Sequence, residues 1–391
     1  MSEKIINAFN KNAPKKPTPP AINDPEAKRA CNELNELLRR SDIESNASPS
    51  DEGRILTVFV HGYGSSKWLW IDPYFGTFGW LRDYRTNPSP RDYGWHQKPV
   101  PAHLLMPYRI SFSPLIFPEG VFNYLMRKGH EVLAYSQIDP FGDIDTSAKE
   151  LSNLLKAIRK IYGKKRIILV GHSRGGICIR KYLEGTKETS VEKVITLSSP
   201  HLGTNLTNFK VIKQPAIKIL NQTRTIRNIW DVSGQREVKD LCWEQMKPKS
   251  PYLLNLKDQE KWPEIEYVAV AGESSIFTHV YAWRFRRESG KDLTKMFSLL
   301  KEKIANNSPN ETVEDSSAKY HWIAYPQTIL TVFKKIFLPE VRKGDGLVAV
   351  RSALLKKADR EYTFPNNHEE IATSDQTNSL LLNEIKRTSK E

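Results

Sequence analysis

RIILVGHSRGGICIRKYLEG occupies residues 166–185. Its opening six residues, RIILVG, form an apolar, β-branched run of the kind buried on both faces of a parallel sheet. Its second half, GICIRKYLEG, has the pattern of a helix. Between them stands Gly171-His172-Ser173-Arg174-Gly175-Gly176, a Gly-x-Ser-x-Gly pattern in a strand–turn–helix context. The turn must be sharp enough to lift the Ser173 hydroxyl above the sheet edge. Glycines at 171 and 175 let strand and helix approach without Cβ atoms in the way. The helix N-terminus behind Ser173 favours developing negative charge. A tight turn in which Ser173 only caps the helix is the alternative reading.

The same alternation extends on both sides. ILTVFV (55–60), EVLAYSQI (131–138), EKVITLS (192–198), IEYVAVAG (265–272) and REYTF (360–364) have strand character. GVFNYLMRKGH fits a helix ending near Gly129. SAKELSNLLKAIRKIYG repeats its apolar residues at a 3.6 period and stops at Gly163. Strands alternating with helices imply an α/β fold, a mostly parallel sheet with helices on both faces and right-handed crossovers.

Three long segments break the rhythm, at about 65–117, 205–262 and 275–340. Loops of such length are uncommon unless they are functional. They are expected to be insertions forming a cap or lid. In 205–230, apolar residues alternate with Lys210, Lys213, Lys218, Arg224 and Arg227, which suits a lid at a lipid interface. Residues 1–50 are expected to be a Pro- and Lys-rich tail with a short helix over 26–40 and a linker, and 51–391 the folded domain.

The formal charge of +14 favours anionic surfaces. Zinc-finger spacing and continuous Lys/Arg blocks are absent from the sequence, so nucleic acid is not expected as a partner, whereas transient contact with an anionic membrane is. The N-terminus lacks the apolar core of a secretory signal, and no apolar run is long enough to span a bilayer. Cys31, Cys178 and Cys242 have no metal-like spacing. A cytoplasmic location is the expectation.

Four motifs together resemble the bacterial triacylglycerol lipases and related esterases of the α/β-hydrolase superfamily. They are Val60-His61-Gly62-Tyr63-Gly64, the Ser173 turn, Ser199-Pro200-His201-Leu202-Gly203-Thr204, and Gly344-Asp345-Gly346-Leu347-Val348 followed by His368. The resemblance spans about residues 54–372. It implies an α/β-hydrolase fold and carboxylic ester hydrolysis on an ester or lipid-like substrate, with no cofactor. Ser173 would be the nucleophile, His368 the base and Asp345 the acid that orients it. The backbone N–H groups of Tyr63 and Arg174 would form the oxyanion hole.

His279 and His321 also follow Ser173 and are weaker candidates for the base. Glu273, directly after IEYVAVAG, is the rival acid. Glu370 could echo a calcium ligand of secreted relatives, but the chain offers no matching second acid, and no metal is expected. An acyltransferase or amide hydrolase would use the same three side chains. A binding module without activity is a further alternative.

Overall fold

The computed structural model describes residues 19–49, 53–73, 110–111, 120–187, 189–208, 241–274, 278–279 and 339–389. Seven strands make one sheet: β1 (Ile43–Ser45), β2 (Ile55–Val60), β3 (Glu131–Tyr135), β4 (Arg166–His172), β5 (Val191–Leu197), β6 (Glu266–Gly272) and β7 (Arg360–Phe364). Their spatial order is β1-β3-β2-β4-β5-β6-β7. Every pairing is parallel except β1 with β3.

Five longer helices cover the faces: α1 (Pro25–Leu37), α2 (Val121–Arg127), α3 (Ile144–Tyr162), α4 (Arg174–Gly185) and α5 (Asp375–Thr388). Sequence punctuation sets their ends. Asp143 accepts the Thr146 N–H at 2.8 Å to start α3, and Gly163 at φ 72° ends it. Ser374 caps α5 in the same way through the Thr377 N–H.

Side chains of successive strand residues point to opposite faces, so the sheet feeds two cores. On one face Leu56, Val58, Leu133, Leu169 and Val194 meet α1, α3 and α4. On the other, Phe59, Val132, Val170, Leu197 and Val270 meet α2 and α5. Right-handed crossovers explain this division. From β2 the chain moves one way through α2 to β3, then returns past β2 through α3 to β4. Reversing the direction moves the connecting helix to the opposite face. Such a reversal, beyond the carboxyl ends of β2 and β4, is where open α/β sheets bind ligands.

Two expectations need correction. The folded domain does not begin at 51. Ala27, Ala30 and Leu34 of α1 are buried in the first core, and β1 pairs with β3 through Ile43↔Tyr135 and Ser45↔Leu133. The segment expected to be a linker therefore supplies a sheet edge. The proposed insertions also contain parts of the core. Leu69, Trp70 and Ile71 are buried, with the Trp70 ring stacked on Phe59 at 4.8 Å. Short helical turns at 241–261 bury Cys242, Met246, Leu253 and Leu256 against the first core. The rest of the aromatic segment at 74–109, the expected lid at 209–240 and residues 280–338 lie outside the described residues. No described helix is long and apolar enough to cross a membrane.

Candidate active site

Ser173 stands between β4 and α4 at φ 53° and ψ −127°, a left-handed conformation that is strained for any residue with a side chain. Close packing holds it there. A Cβ on Gly175 would lie 2.3 Å from the Val60 carbonyl oxygen, and one on Gly171 would lie 2.6 Å from the Gly176 Cα. Helix and strands thus touch backbone to backbone, and the Ser173 N–H bonds the Leu197 carbonyl at 2.9 Å. The side chain stays half-buried while its neighbours His172 and Arg174 are buried.

His368 lies in the loop after β7, and Asp345 in the turn before the short helix Val350–Ala353. The structure brings them together. His368 Nδ1 and Asp345 Oδ2 are 2.7 Å apart, and the His368 N–H donates to the Asp345 carbonyl at 3.1 Å. Asp345 is fully buried, and its other oxygen accepts the N–H groups of Leu347 at 2.9 Å and Val348 at 2.7 Å. Gly272 at the end of β6 is required by this packing, since a Cβ there would come within 2.8 Å of Asp345 Cβ.

Burial alone would push the His368 imidazolium towards deprotonation. The adjacent Asp345 charge and its hydrogen bond outweigh that, and the imidazole is held above its ordinary value. His172 ties this loop to the elbow. Its Nε2–H donates to the His368 carbonyl at 2.7 Å, and the two rings are 4.8 Å apart. A Cβ on Gly62 would lie 2.8 Å from Ser173 Cβ, so the loop after β2 reaches the same point.

Glu273 is exposed, and its N–H pairs with the Phe364 carbonyl at 3.0 Å. The acid at the His368 ring is Asp345. Glu370 accepts the Asn367 N–H at 3.1 Å, while Asn367 Oδ1 accepts the N–H groups of Glu369 and Glu370. This is a capping box that shapes the histidine loop. Among the described residues no group of His, Cys, Asp and Glu is arranged to hold a metal ion. His321 lies outside the described residues, as does the side chain of His279.

The Ser199–Thr204 motif has a structural role. Thr204 Oγ1 donates to the Leu347 carbonyl at 2.7 Å, the Ser352 hydroxyl bonds the Gly203 carbonyl at 2.6 Å, and the His201 N–H bonds the Ser352 carbonyl at 2.9 Å. It braces the turn that carries Asp345.

Sequence reasoning missed Gln137. Its N–H donates to His61 Nε2 at 2.8 Å and its amide Nε2–H to the His61 carbonyl at 2.9 Å. A polar residue just beyond β3 carries no local sign of this, because the contact depends on two neighbouring strands ending together. The Tyr63 ring packs edge-on against Phe141 at 5.0 Å and Trp243 at 5.7 Å. The Arg174 guanidinium sits 5.9 Å from the centre of the Tyr63 ring.

A family model described as palmitoyl protein thioesterase matches residues 113–253, about a third of the chain. Among solved structures the chain is similar to the Bacillus licheniformis lipase BlEst2 in its mature form, at 15% identity over 88% of this chain and 97% of that one, with a TM-score of 0.47. The propeptide form of that lipase gives 16% identity over 96% and 54%, with a TM-score of 0.47. An esterase from Exiguobacterium antarcticum gives 13% identity over 59% and 76%, with a TM-score of 0.29. No curated protein sequence matches the chain. With its strands ordered β1-β3-β2-β4-β5-β6-β7 and a strained serine closing β4, the chain has the α/β-hydrolase fold.

Proposed function

We propose that the protein is a serine hydrolase that cleaves carboxylic esters through an acyl-enzyme on Ser173. The observation that carries the reading is the hydrogen bond of 2.7 Å between His368 and buried Asp345, in a loop tied to the Ser173 elbow by His172. His368 takes the Ser173 proton as Oγ bonds to the ester carbonyl carbon. Asp345 fixes the tautomer and stabilises the imidazolium that forms. The N–H groups of Tyr63 and Arg174 receive the negative charge on the former carbonyl oxygen. Collapse breaks the bond to the leaving alcohol, which departs with the proton from His368. Water then repeats the sequence and frees the acid.

A fluorophosphonate probe tests the reading directly. Labelling of the wild type that is lost in Ser173→Ala is expected; undiminished labelling of the variant would overturn it. Lipid-like acyl groups are the proposed substrates, and a chain-length series of p-nitrophenyl esters checks them. Activity confined to the shortest members would reject the lipid preference and leave a general esterase.

The match to a thioesterase family model favours a second reading, in which the scissile bond is an acyl thioester. The steps are the same with a thiol leaving group. Comparing a palmitoyl thioester with the matching oxygen ester separates the two, the thioester reading requiring the larger kcat/KM on sulfur.

A further inference from the structure

Arg174 is an unusual residue to bury. A guanidinium stays charged at any working pH, and enclosing one without a carboxylate is costly. Arg174 is nonetheless fully buried. Its hydrogen-bond partners among the described residues are the Gln137 amide oxygen, the Gly142 carbonyl and the Cys242 thiol. The Tyr63 ring lies beside it, and its Nε has no partner among the described residues. The buried thiol of Cys178 is a further close polar neighbour. An apolar side chain of similar size would fill this space at less cost, so the charge and the forked geometry are expected to serve a purpose.

We propose that the Arg174 side chain is a positioning residue for the oxyanion site, locking the loop that carries Tyr63 to the first turn of α4 through Gln137. This rests on the serine-hydrolase reading. The path is continuous. One arm of the guanidinium holds the Gln137 oxygen. The Gln137 amide and backbone hold both polar ends of His61. Two residues on, the Tyr63 ring is fixed between the guanidinium, Phe141 and Trp243. The other arm holds Gly142, next to the Phe141 ring that Gly64 packs against; a Cβ on Gly64 would come within 2.6 Å of it. The backbone N–H groups of residues 63 and 174 thereby keep a fixed spacing. The Arg174 positive charge, with no carboxylate partner among the described residues, favours an oxyanion over a neutral carbonyl at the adjoining Ser173. Lysine presents a point charge and cannot span both acceptors as the fork does.

The test uses p-nitrophenyl butyrate with the wild type, Arg174→Met, Arg174→Lys, Gln137→Leu and the double variant Arg174→Met/Gln137→Leu, after Ser173→Ala has been assayed. If Ser173→Ala retains activity, the hydrolase reading itself falls. If it does not, kcat is expected to drop about ten- to hundred-fold in Arg174→Met and in Gln137→Leu, with KM changed less than about threefold. Arg174→Lys should recover part of the loss. The double variant should be no worse than the worse single one, because both act along one path. Inhibition by phenylboronic acid, which forms a tetrahedral anion on the serine, should weaken in step with kcat, while inhibition by butyrate stays constant. A merely structural role would not separate these two inhibitors. Wild-type kcat in folded Arg174→Met or in Gln137→Leu, a change in KM alone, or strictly additive losses would overturn the proposal. If Arg174→Met fails to fold, Gln137→Leu and Arg174→Lys carry the same comparison.

Discussion

His172 donates its Nε2–H to the main-chain carbonyl of His368 at 2.7 Å. A carbonyl can only accept, so the tautomer of His172 is fixed with the proton on Nε2. Its Nδ1 is then a buried lone pair with no partner among the described residues. Burial, aided by the neighbouring His368, pushes the His172 imidazole down to about 3, so it remains neutral throughout the working range. The elbow thus grips the histidine loop by its backbone and leaves the His368 ring to Asp345.

Removing that grip should be visible in both stability and rate. His172→Leu leaves the His368 carbonyl buried and unsatisfied, an expected cost of about 1–3 kcal/mol in urea unfolding. The ester kcat should fall with it. His172→Gln keeps a donor and should recover part of both. Equal stability and rate in His172→Leu and the wild type would contradict this.

Ester hydrolysis should rise with pH as His368 loses its proton, with an apparent value in kcat/KM above the ordinary 6.5. Stability should move the opposite way. A folded-state value raised above the unfolded one means that the folded protein binds the extra proton. The contribution of His368 to stability is complete below about 6.5 and is lost as pH climbs through the raised value. Parallel pH series of activity and urea midpoint check both signs.

Asp345→Asn keeps an oxygen for the Leu347 and Val348 N–H groups but turns an amide donor towards His368 Nδ1. The imidazole must then adopt the other tautomer, and the loss in kcat should approach about ten-thousand-fold. The pH profile should also shift downwards, since the Asp345 charge is what raises His368. Glu273→Gln, at an exposed side chain, should stay within about twofold of the wild type. Reversed magnitudes would make Glu273 the orienting acid.

Gly175→Ala forces a Cβ to within 2.3 Å of the Val60 carbonyl oxygen and 2.8 Å of that of His61. Backbone on both sides cannot yield locally, so α4 must move off the sheet. Destabilisation of about 1–3 kcal/mol or more is expected in urea. Gly62→Ala meets the Ser173 Cβ instead, and its main effect should be on labelling by the fluorophosphonate probe.

The central strands were legible because burial on both faces leaves a continuous β-branched run, as in ILTVFV, which coincides with β2; at the sheet edge REYTF, alternating half-buried and exposed, coincides with β7. The elbow was legible because its glycines answer to steric contacts with β2 and β4. His368 and Asp345 were found through the order of motifs in a resemblance, since no local pattern tells a catalytic histidine from any loop histidine. Strand β1 was not legible. Ile-Glu-Ser is too short for a periodicity to show, and its place depends on Asn35 and Asn46. Asn35 accepts the Ile43 N–H at 3.1 Å, and Asn46 Oδ1 accepts the Val132 N–H at 2.8 Å. Gln137 escaped for the same reason, as its partners come from elsewhere in the chain.

Strand β1 has a consequence for how these molecules behave in a crowded solution. A sheet flank with unpaired amides is a template on which another copy can polymerise. Here that flank ends in three residues running against their neighbour, too short to seed an intermolecular ribbon. On the opposite flank, β7, the exposed side chains are those of Glu361 and Thr363, and the Glu361 carboxylate discourages a second strand, while Arg360 is tied into ion pairs with Glu266 and Glu384. Self-association by continuing the sheet is thereby discouraged at both margins.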